Sequence, residues 1–458
     1  MSSKNGTATR VDGKVVAPLP RSSRVGIGRI VALSLAAGLA AAVVLPFAPF
    51  TPVDENFSTG MVLLGFAIGW ASLAVLSTRF TDQPQRWAVA PAVFMGVAGV
   101  IVLLAPDAFV DALGWVWPPA LLVLVVWVFL RARRDLRSRA RAWLLNPVLA
   151  LLALCSLAGG YETVSRSVDA DAFAMRGQLV DVGPYRLHLE CTGSRGPTVV
   201  LEPGGGGSAA TLGWIAPAVA RDTRVCTYDR AGRGWSDAAA GTPDGAQIAT
   251  DLHTLLQRAN VPGPYVLAGH SFGGLYVMSF AAQYPEQVAG LVLVDSTAPN
   301  TTPVPPQQAG SYSVVKHVSA MVSATSRLGL GRLIARSGFA DLPPQSRDEA
   351  RASAATAKEM GSFIDEYAVA SRSASEAGQL VSLDDKPLIV LTADRGNAEG
   401  WTADQDKLAT LSTNSLHRVV PGATHASLLE NPEHAAAVSR AIHDVVVSLR
   451  TAAPLDRS

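Results

Sequence analysis

Charged residues are scarce in this chain of 458 residues. Asp, Glu, Lys and Arg together make up 16% of it, whereas hydrophobic residues make up 49%. A soluble domain usually carries about 25% charged residues, so we expect part of the chain to lie in lipid. The net charge of +1 and the lack of a Lys/Arg stripe in the second half argue against nucleic acid as a partner.

Cysteine is also scarce. The chain has three cysteines, and they form neither a Cys-x-x-Cys pair nor a Cys/His spacing. Such spacings are what would indicate a structural zinc site. We therefore predict no metal site and no cofactor.

Long uncharged runs are concentrated between residues 30 and 161. A helix needs about 20 mostly apolar residues to cross the hydrocarbon core of a bilayer. Four similar runs follow the first, which a cleaved signal peptide does not explain. We therefore predict five transmembrane helices, at Ile30 to Phe50, Gly60 to Thr78, Trp87 to Ala105, Ala112 to Leu130 and Trp143 to Tyr161.

Basic residues indicate how these helices are oriented. Lys and Arg occur in the tail before the first run, at Arg79 and Arg86 in the second loop, and in an arginine cluster at 131–141. The first and third loops contain no Lys or Arg, and their charged residues are all acidic. Short loops rich in Lys and Arg stay cytoplasmic. Five crossings from a cytoplasmic start then place everything after Tyr161 on the extracytoplasmic side of the cell membrane. The predicted divisions are a cytoplasmic tail (1–29), a membrane region (30–161), a linker (162–176) and an extracytoplasmic domain (177–452).

The second half has the pattern of a globular α/β domain. Short apolar runs alternate with helical patterns, including 244–259, the run after Ser271 and 432–449. This alternation is typical of a mostly parallel sheet covered by helices. We predict eight strands, at Gln178 to Val182, Arg186 to Cys191, Thr198 to Leu201, Arg224 to Tyr228, Tyr265 to Ala268, Gly290 to Asp295, Pro387 to Thr392 and His417 to Val420.

Residues 269–273 read Gly-His-Ser-Phe-Gly, between an apolar strand and a helical run. This G-x-S-x-G pattern, in a strand–turn–helix context, presents a serine at the tip of a sharp turn. The helix N-terminus behind the serine favours developing negative charge. We predict that Ser271 is a nucleophile.

Three further segments agree with this prediction in order and spacing. They read VLEPGGGGS at 200–208, YDRAGRGWS at 228–236 and GATH at 422–425. Together with the serine turn they resemble the α/β-hydrolase superfamily, over about residues 177–449, and most of all its esterase, peptidase and perhydrolase-type branch. The resemblance implies an α/β-hydrolase fold, with an eight-stranded mostly parallel sheet, after the five-span membrane domain.

The serine needs a base, because a neutral hydroxyl is a poor nucleophile. Among eight histidines, His425 lies in the Gly-containing turn after the last strand. The Ser…Asp…His chain order of this fold places the base there. We predict His425 as the base and expect His270 to point away from the site.

Two aspartates remain candidates for the acid that orients the base. The resemblance usually places it at the position of Gly396, and the nearest acid, Asp394, lies two residues before it. Asp295 ends another strand, at a site that some members of the family use, although an aspartate there is often only structural. We favour Asp295 slightly and retain Asp394.

The resemblance also implies an oxyanion hole and a cap. The backbone N–H groups of Gly205 and Phe272 are the expected donors, and Pro203 replaces the histidine often found in that loop. The cap is expected at about 297–384, with Pro303, Pro305 and Pro306 followed by a helical run near Ser313 to Arg336. A cap that exposes apolar residues would suit a lipophilic ester.

In the strand order of the superfamily, the strands of Cys191 and Cys226 are neighbours. A disulfide between them is one possibility and two buried thiols are the other.

These features predict a membrane-anchored serine hydrolase that cleaves an ester, or less readily an amide, of a small molecule through an acyl-enzyme. The alternative is a non-catalytic binding or sensory protein that retains the hydrolase fold.

Overall fold

The structure is a computed structural model that describes residues 25–48, 54–299 and 309–456, and the backbone pairing of Arg10–Val11 with Lys14–Val15. These residues divide into two compact units. The first contains residues 25–48 and 59–156, and the second contains 54–58, 157–299 and 309–456. Most of the predicted basic tail, and the three prolines of the predicted cap, lie outside the described residues.

Six helices lie between residues 27 and 172 of the described chain. They are α1 (Ile27–Val44), α2 (Glu55–Phe80), α3 (Val89–Leu104), α4 (Asp107–Leu113), α5 (Trp117–Asp135) and α6 (Asn146–Ala172). With the short helical turns that extend them, four stretches of the described chain are long and apolar enough to cross a membrane. These four are Ile27–Phe47, Glu55–Phe80, Arg86–Leu104 and Arg141–Ala172.

The structure differs from the transmembrane helix predicted at 112–130. A turn at Gly114–Val116 interrupts it, so α5 begins only at Trp117, with two prolines in its first turn, where proline is tolerated. The apolar part of α5 ends at Leu130, and arginines fill its last turn. By length and composition α5 is therefore not among the four candidate spans.

Small residues bring α1 and α2 close together within the first unit. A Cβ atom on Gly38 would lie 2.9 Å from the Cα of Gly69, and one on Gly65 would lie 2.2 Å from the backbone nitrogen of Ala42. Such contacts between backbones require glycine, and close glycine contacts are typical of helices packed within a membrane.

In the second unit, the described residues form one sheet of eight strands in the order β8-β7-β6-β5-β3-β4-β2-β1. Among strands β3 to β8, every pair of neighbouring strands is parallel. Strand β2 is antiparallel to both of its neighbours, β1 and β4. All eight predicted strands are confirmed, with ends shifted by a few residues. They are β1 (Gln178–Asp181), β2 (Arg186–Thr192), β3 (Thr198–Glu202), β4 (Val225–Tyr228), β5 (Tyr265–His270), β6 (Val288–Val294), β7 (Leu388–Arg395) and β8 (Ser415–Thr424).

Helices α7 (Ile215–Val219), α8 (Gly245–Arg258) and α9 (Phe272–Gln283) lie between β3 and β6 in the chain. The predicted helix at 244–259 is confirmed, and its N-cap is Asp244, whose side chain accepts the N–H of Gln247 at 3.0 Å. The predicted helical run after Ser271 is α9.

A group of five helices, here called the cap, lies between β6 and β7 in the described chain. They are α10 (Ala309–Ala324), α11 (Leu330–Ala335), α12 (Pro344–Ala354), α13 (Ala357–Ala368) and α14 (Ala370–Ala377).

Three helices complete the part of the chain that the structure describes: α15 (Trp401–Ala409), α16 (Ser427–Glu430) and α17 (Pro432–Thr451). Two hydrophobic clusters lie on the sheet, one with residues of α8 and α9 and the other with residues of α7 and α17. Strands β3 and β5 are buried along their whole length, which explains their nearly continuous apolar runs. This core fixes the carboxyl ends of the parallel strands, where the candidate site lies.

Candidate active site

Ser271 occupies the turn between β5 and α9. Its backbone has φ 54° and ψ −122°, a conformation that residues with a side chain rarely adopt. Close contacts require glycine on either side, because a Cβ on Gly269 would lie 2.4 Å from the carbonyl oxygen of Gly273, and one on Gly273 would lie 2.5 Å from that of Glu202. The turn thus presents Ser271 at the carboxyl end of β5.

His425 and Asp295 come together at the same edge of the sheet. Asp295 directly follows β6, and His425 directly follows β8. Nδ1 of His425 lies 2.6 Å from Oδ2 of Asp295. Asp295 is fully buried, whereas the His425 side chain is 43% exposed. An exposed imidazole held by a buried carboxylate is the arrangement that a base needs.

Ser271 lies next to this pair. Its backbone N–H donates to the carbonyl oxygen of Val294 at 3.1 Å, and Val294 directly precedes Asp295. The ring of His270, the residue before Ser271, lies 4.5 Å from the ring of His425, measured between centroids. These contacts place the backbone of Ser271 at the same edge of the sheet as His425 and Asp295.

The other oxygen of Asp295 is also bonded. Oδ1 accepts the indole N–H of Trp401 at 2.8 Å and the backbone N–H of Ala393 at 3.1 Å. Burial alone would raise the pKa of Asp295, but the hydrogen bonds from His425, Trp401 and Ala393 outweigh burial and lower it. Asp295 is therefore ionised at neutral pH. The contribution of Trp401 was not predicted from the sequence.

Among the described residues, no hydrogen bond joins Asp394 to His425. It lies near the end of β7 and is exposed, and its Oδ2 accepts the backbone N–H of Gly422 at 3.0 Å. This bond joins the end of β7 to the last residues of β8, just before His425. The structure thus gives the two candidate aspartates different partners.

His270 does not point away from the site, so that prediction is wrong. Its Nε2–H donates to the backbone carbonyl of His425 at 3.1 Å, and its ring packs against the ring of His425. Nδ1 of His270 is buried and has no hydrogen-bond partner among the described residues. Burial, followed by the nearby His425, lowers the pKa of His270 to about 3. A neutral His270 thus supports the turn of His425.

The Gly-rich loop lies beside Ser271. A Cβ on Gly204 would lie 3.1 Å from the Cβ of Ser271. Gly206 donates its N–H to Glu366 at 2.8 Å, and Gly207 donates to Gly204 at 3.0 Å. Within the described residues, no hydrogen bond uses the N–H of Gly205 or that of Phe272. These two N–H groups are the predicted oxyanion donors.

Aromatic side chains cover this loop. A Cβ on Gly206 would lie 2.6 Å from Cδ2 of Phe363, and one on Gly205 would lie 2.8 Å from Cδ2 of Phe272. The ring of Tyr367 lies 4.8 Å from the ring of Phe272 and 4.8 Å from that of Phe363. Phe363 and Tyr367 belong to the cap helix α13 and remain partly exposed, so an apolar surface borders the loop.

The cysteines of the second unit are bonded to each other. Cys191 on β2 lies opposite Cys226 on β4, with 4.1 Å between their Cα atoms, and the two form a disulfide. Of the two possibilities at these positions, the structure therefore contains the disulfide. Among the described residues, no group of three His, Cys, Asp or Glu side chains could hold a metal ion.

The strand order, the serine turn after β5 and the His–Asp pair after β8 and β6 define the class of α/β hydrolases. The sequence pattern of the alpha/beta hydrolase fold matches residues 197–432, and the chain belongs to this family.

Several known proteins resemble the chain. An uncharacterized protein of Schizosaccharomyces pombe is 30% identical over 298 residues, which cover 57% of this chain and 54% of that protein. An uncharacterized vacuolar membrane protein of Saccharomyces cerevisiae is 31% identical over 173 residues, 33% of this chain and 26% of that protein. The chain thus spans about half or less of the length of these relatives.

Among solved structures, a thermophilic esterase from Thermogutta terrifontis matches with a TM-score of 0.45 and 23% identity, over 60% of this chain and 99% of the esterase. The family supports a hydrolase. The four apolar helices of the described chain are compatible with a membrane region.

Proposed function

We propose that the protein is a membrane-anchored serine hydrolase that cleaves an ester, or less readily an amide, of a small lipophilic molecule. The observation that carries this proposal is the 2.6 Å contact between Nδ1 of His425 and Oδ2 of Asp295, beside the strained turn that presents Ser271.

The reaction follows from the roles of these groups. With Nδ1–H donated to Asp295, Nε2 of His425 is the nitrogen that accepts a proton. Oγ of Ser271 attacks the carbonyl carbon while its proton passes to Nε2. The imidazolium then protonates the leaving group, which departs and leaves the acyl group on Oγ of Ser271. A water molecule next gives a proton to Nε2 and attacks the acyl carbon. The bond to Oγ breaks, and Oγ takes the proton back from the imidazolium.

Charge on the tetrahedral intermediate needs donors that are already in place. The N–H groups of Gly205 and Phe272 make no hydrogen bond in the described structure, and Phe272 is the first residue of α9. A helix N-terminus favours negative charge. Removing one such donor typically costs about 10²- to 10³-fold in kcat, so these two N–H groups would contribute a large share of the rate.

The substrate is proposed to be apolar at its acyl end. The partly exposed rings of Phe363 and Tyr367 border the loop of Gly205 and Gly206. Aromatic surfaces next to a reacting carbonyl favour hydrocarbon over charged groups.

The membrane part is proposed to have five spans, with α5 as the additional one, in the cell membrane. Its basic last turn matches the Lys and Arg of the other cytoplasmic loops. Five spans place the hydrolase unit outside the cytoplasm, and the Cys191–Cys226 disulfide supports this placement because disulfides persist in oxidising compartments.

The proposal is tested by hydrolysis of p-nitrophenyl esters of increasing chain length by the full chain in detergent. Ser271→Ala and His425→Ala should each lower kcat by about 10³-fold or more, while Ser382→Ala, which changes an exposed serine, should not. Hydrolysis that survives in folded Ser271→Ala would reject the proposal. Folded wild-type protein without hydrolysis would favour the non-catalytic binding protein.

A further inference from the structure

Two glutamates of the cap helix α13 accept backbone hydrogen bonds from loops of the sheet. Glu359 and Glu366 are seven residues apart and therefore lie on one face of the helix. Glu359 accepts the N–H of Gly234 at 2.5 Å, and Glu366 accepts the N–H of Gly206 at 2.8 Å. Both glutamates are buried. Of the two, Glu366 is the one bonded to the loop that contains Gly205.

Arg230 connects Glu366 to the rest of that loop. Its Nη2 lies 2.8 Å from Oε1 of Glu366 and donates to the carbonyl of Gly204 at 2.8 Å. Its Nη1 donates to the carbonyl of Pro203 at 2.8 Å and to the carboxylate of Glu202 at 2.5 Å. One buried guanidinium thus holds two consecutive carbonyl groups of the loop.

Glu366 is fully bonded although it is buried. Besides Arg230 and the Gly206 N–H, it receives hydrogen bonds from Arg233 at 2.7 Å and from the hydroxyl of Tyr276 at 2.8 Å. Burial alone would raise the pKa of Glu366, but Arg230 and Arg233 outweigh burial and lower it. A buried carboxylate with this set of partners stays charged and fixed in position.

These bonds hold the residues on both sides of Gly205. Arg230 binds the carbonyl of Gly204, and Glu366 binds the N–H of Gly206, which has a φ of +76°. The direction of the Gly205 N–H is set by the peptide planes next to it. A glycine loop has many other conformations available, so fixing this one requires outside partners.

We propose that Glu366 is a positioning residue for the hydrolytic reaction. Through Gly206 and Arg230, this cap residue holds the loop so that the Gly205 N–H faces the oxyanion formed on attack by Ser271. The inference rests on the proposed function. It assigns to the cap a role in the chemical step, in addition to covering the site.

The test compares substitutions of the two glutamates of α13 in the full chain. Glu366→Ala should lower kcat for a p-nitrophenyl ester by about 10- to 100-fold, somewhat less than the loss of an oxyanion donor itself, with KM changed less than about threefold. The Ki of an alkyl trifluoromethyl ketone, which forms a tetrahedral adduct with the serine, should rise by the same factor as kcat falls. Glu366→Gln retains an acceptor for Gly206 and should show a smaller loss of about threefold to tenfold.

Glu359→Ala is the matched control. It removes a buried carboxylate of the same helix that pairs with Arg233 at 3.0 Å, so it should lower the melting temperature and leave kcat within about threefold. Unchanged kcat and Ki in folded Glu366→Ala would overturn the inference, and so would an equal loss in Glu359→Ala. If Glu366→Ala does not fold, unchanged kcat and Ki in Glu366→Gln overturn it. Inactive wild-type protein would instead reject the proposed function itself.

Discussion

Nδ1 of His425 lies 2.6 Å from Oδ2 of Asp295, although 130 residues separate the two in the chain. The exposed Asp394, which the sequence also offered as the acid, accepts the N–H of Gly422 instead. Since an orienting acid must hold the imidazole itself, these contacts favour Asp295 in that role.

The two aspartates should respond differently to substitution. Asp295→Asn should lower kcat/KM by about 10³- to 10⁴-fold, because an amide at Oδ2 favours the wrong tautomer of His425. Asp394→Asn keeps an oxygen that can accept the Gly422 N–H, so its kcat/KM should change less than about threefold. Ester hydrolysis by both folded variants measures this. The opposite pattern would assign the acid to Asp394.

Acidification should destabilise the hydrolase unit through His270. The pKa of this histidine is about 3 in the folded protein and about 6.5 in an unfolded chain. Between these values the unfolded chain binds a proton that the folded chain does not. Above pH 6.5 the titration of His270 therefore does not lower the free energy of unfolding. As pH falls from 6.5 toward 3, the free energy of unfolding decreases by at most about 1.4 kcal/mol per pH unit.

His270→Gln should reduce this pH dependence, because glutamine does not titrate. Melting temperatures between pH 7 and pH 4.5, followed by intrinsic fluorescence of the full chain in detergent, provide the measurement. The exposed His443 is a suitable control, and His443→Gln should retain the wild-type slope. An unaltered slope in His270→Gln would show that His270 is protonated in the folded state.

The sheet was predictable from the sequence for a physical reason. Parallel strands buried on both faces require continuous apolar runs, and such runs are visible at β3, β5, β6 and β7. The serine turn was also visible, because only glycine fits at 269 and 273. At these positions the local sequence pattern and the tertiary contacts require the same residue types.

The contacts around the site were less predictable, because they join distant parts of the chain. His270 belongs to the expected motif, but its packing depends on the turn of His425, 155 residues later. Trp401 and Glu366 lie in unremarkable helical patterns. The one available signal was Arg230 and Arg233 in the turn that follows the buried strand β4, since buried guanidinium groups require acidic partners.

The disulfide should be detectable by mass. Alkylation of the denatured protein should add two more groups after reduction than before it, at Cys191 and Cys226. The two cysteines are separated by 35 residues in the chain. Because a disulfide that closes a loop of this size typically stabilises a protein by about 2 to 4 kcal/mol, the double variant Cys191→Ser with Cys226→Ser should lower the free energy of unfolding by that amount. Cys155→Ser, which changes the free cysteine, should show the wild-type difference on reduction. Equal alkylation before and after reduction would contradict the disulfide.

The number of spans determines on which side the hydrolase unit lies. Five spans predict that a cysteine placed at the exposed position Ser382 reacts with a membrane-impermeant maleimide in intact cells, whereas one placed at Ser3 reacts only after lysis. Both variants are made in a Cys155→Ser background. Four spans would put the two positions on the same side, so equal reactivity would contradict the fifth span.

The most direct measurement is labelling of the full-length protein with a fluorophosphonate probe, followed by mapping of the modified peptide. The account predicts one modification, on Ser271, which is lost in Ser271→Ala and greatly slowed in His425→Ala. Folded wild-type protein that is not labelled, or is labelled equally well without Ser271, would contradict it.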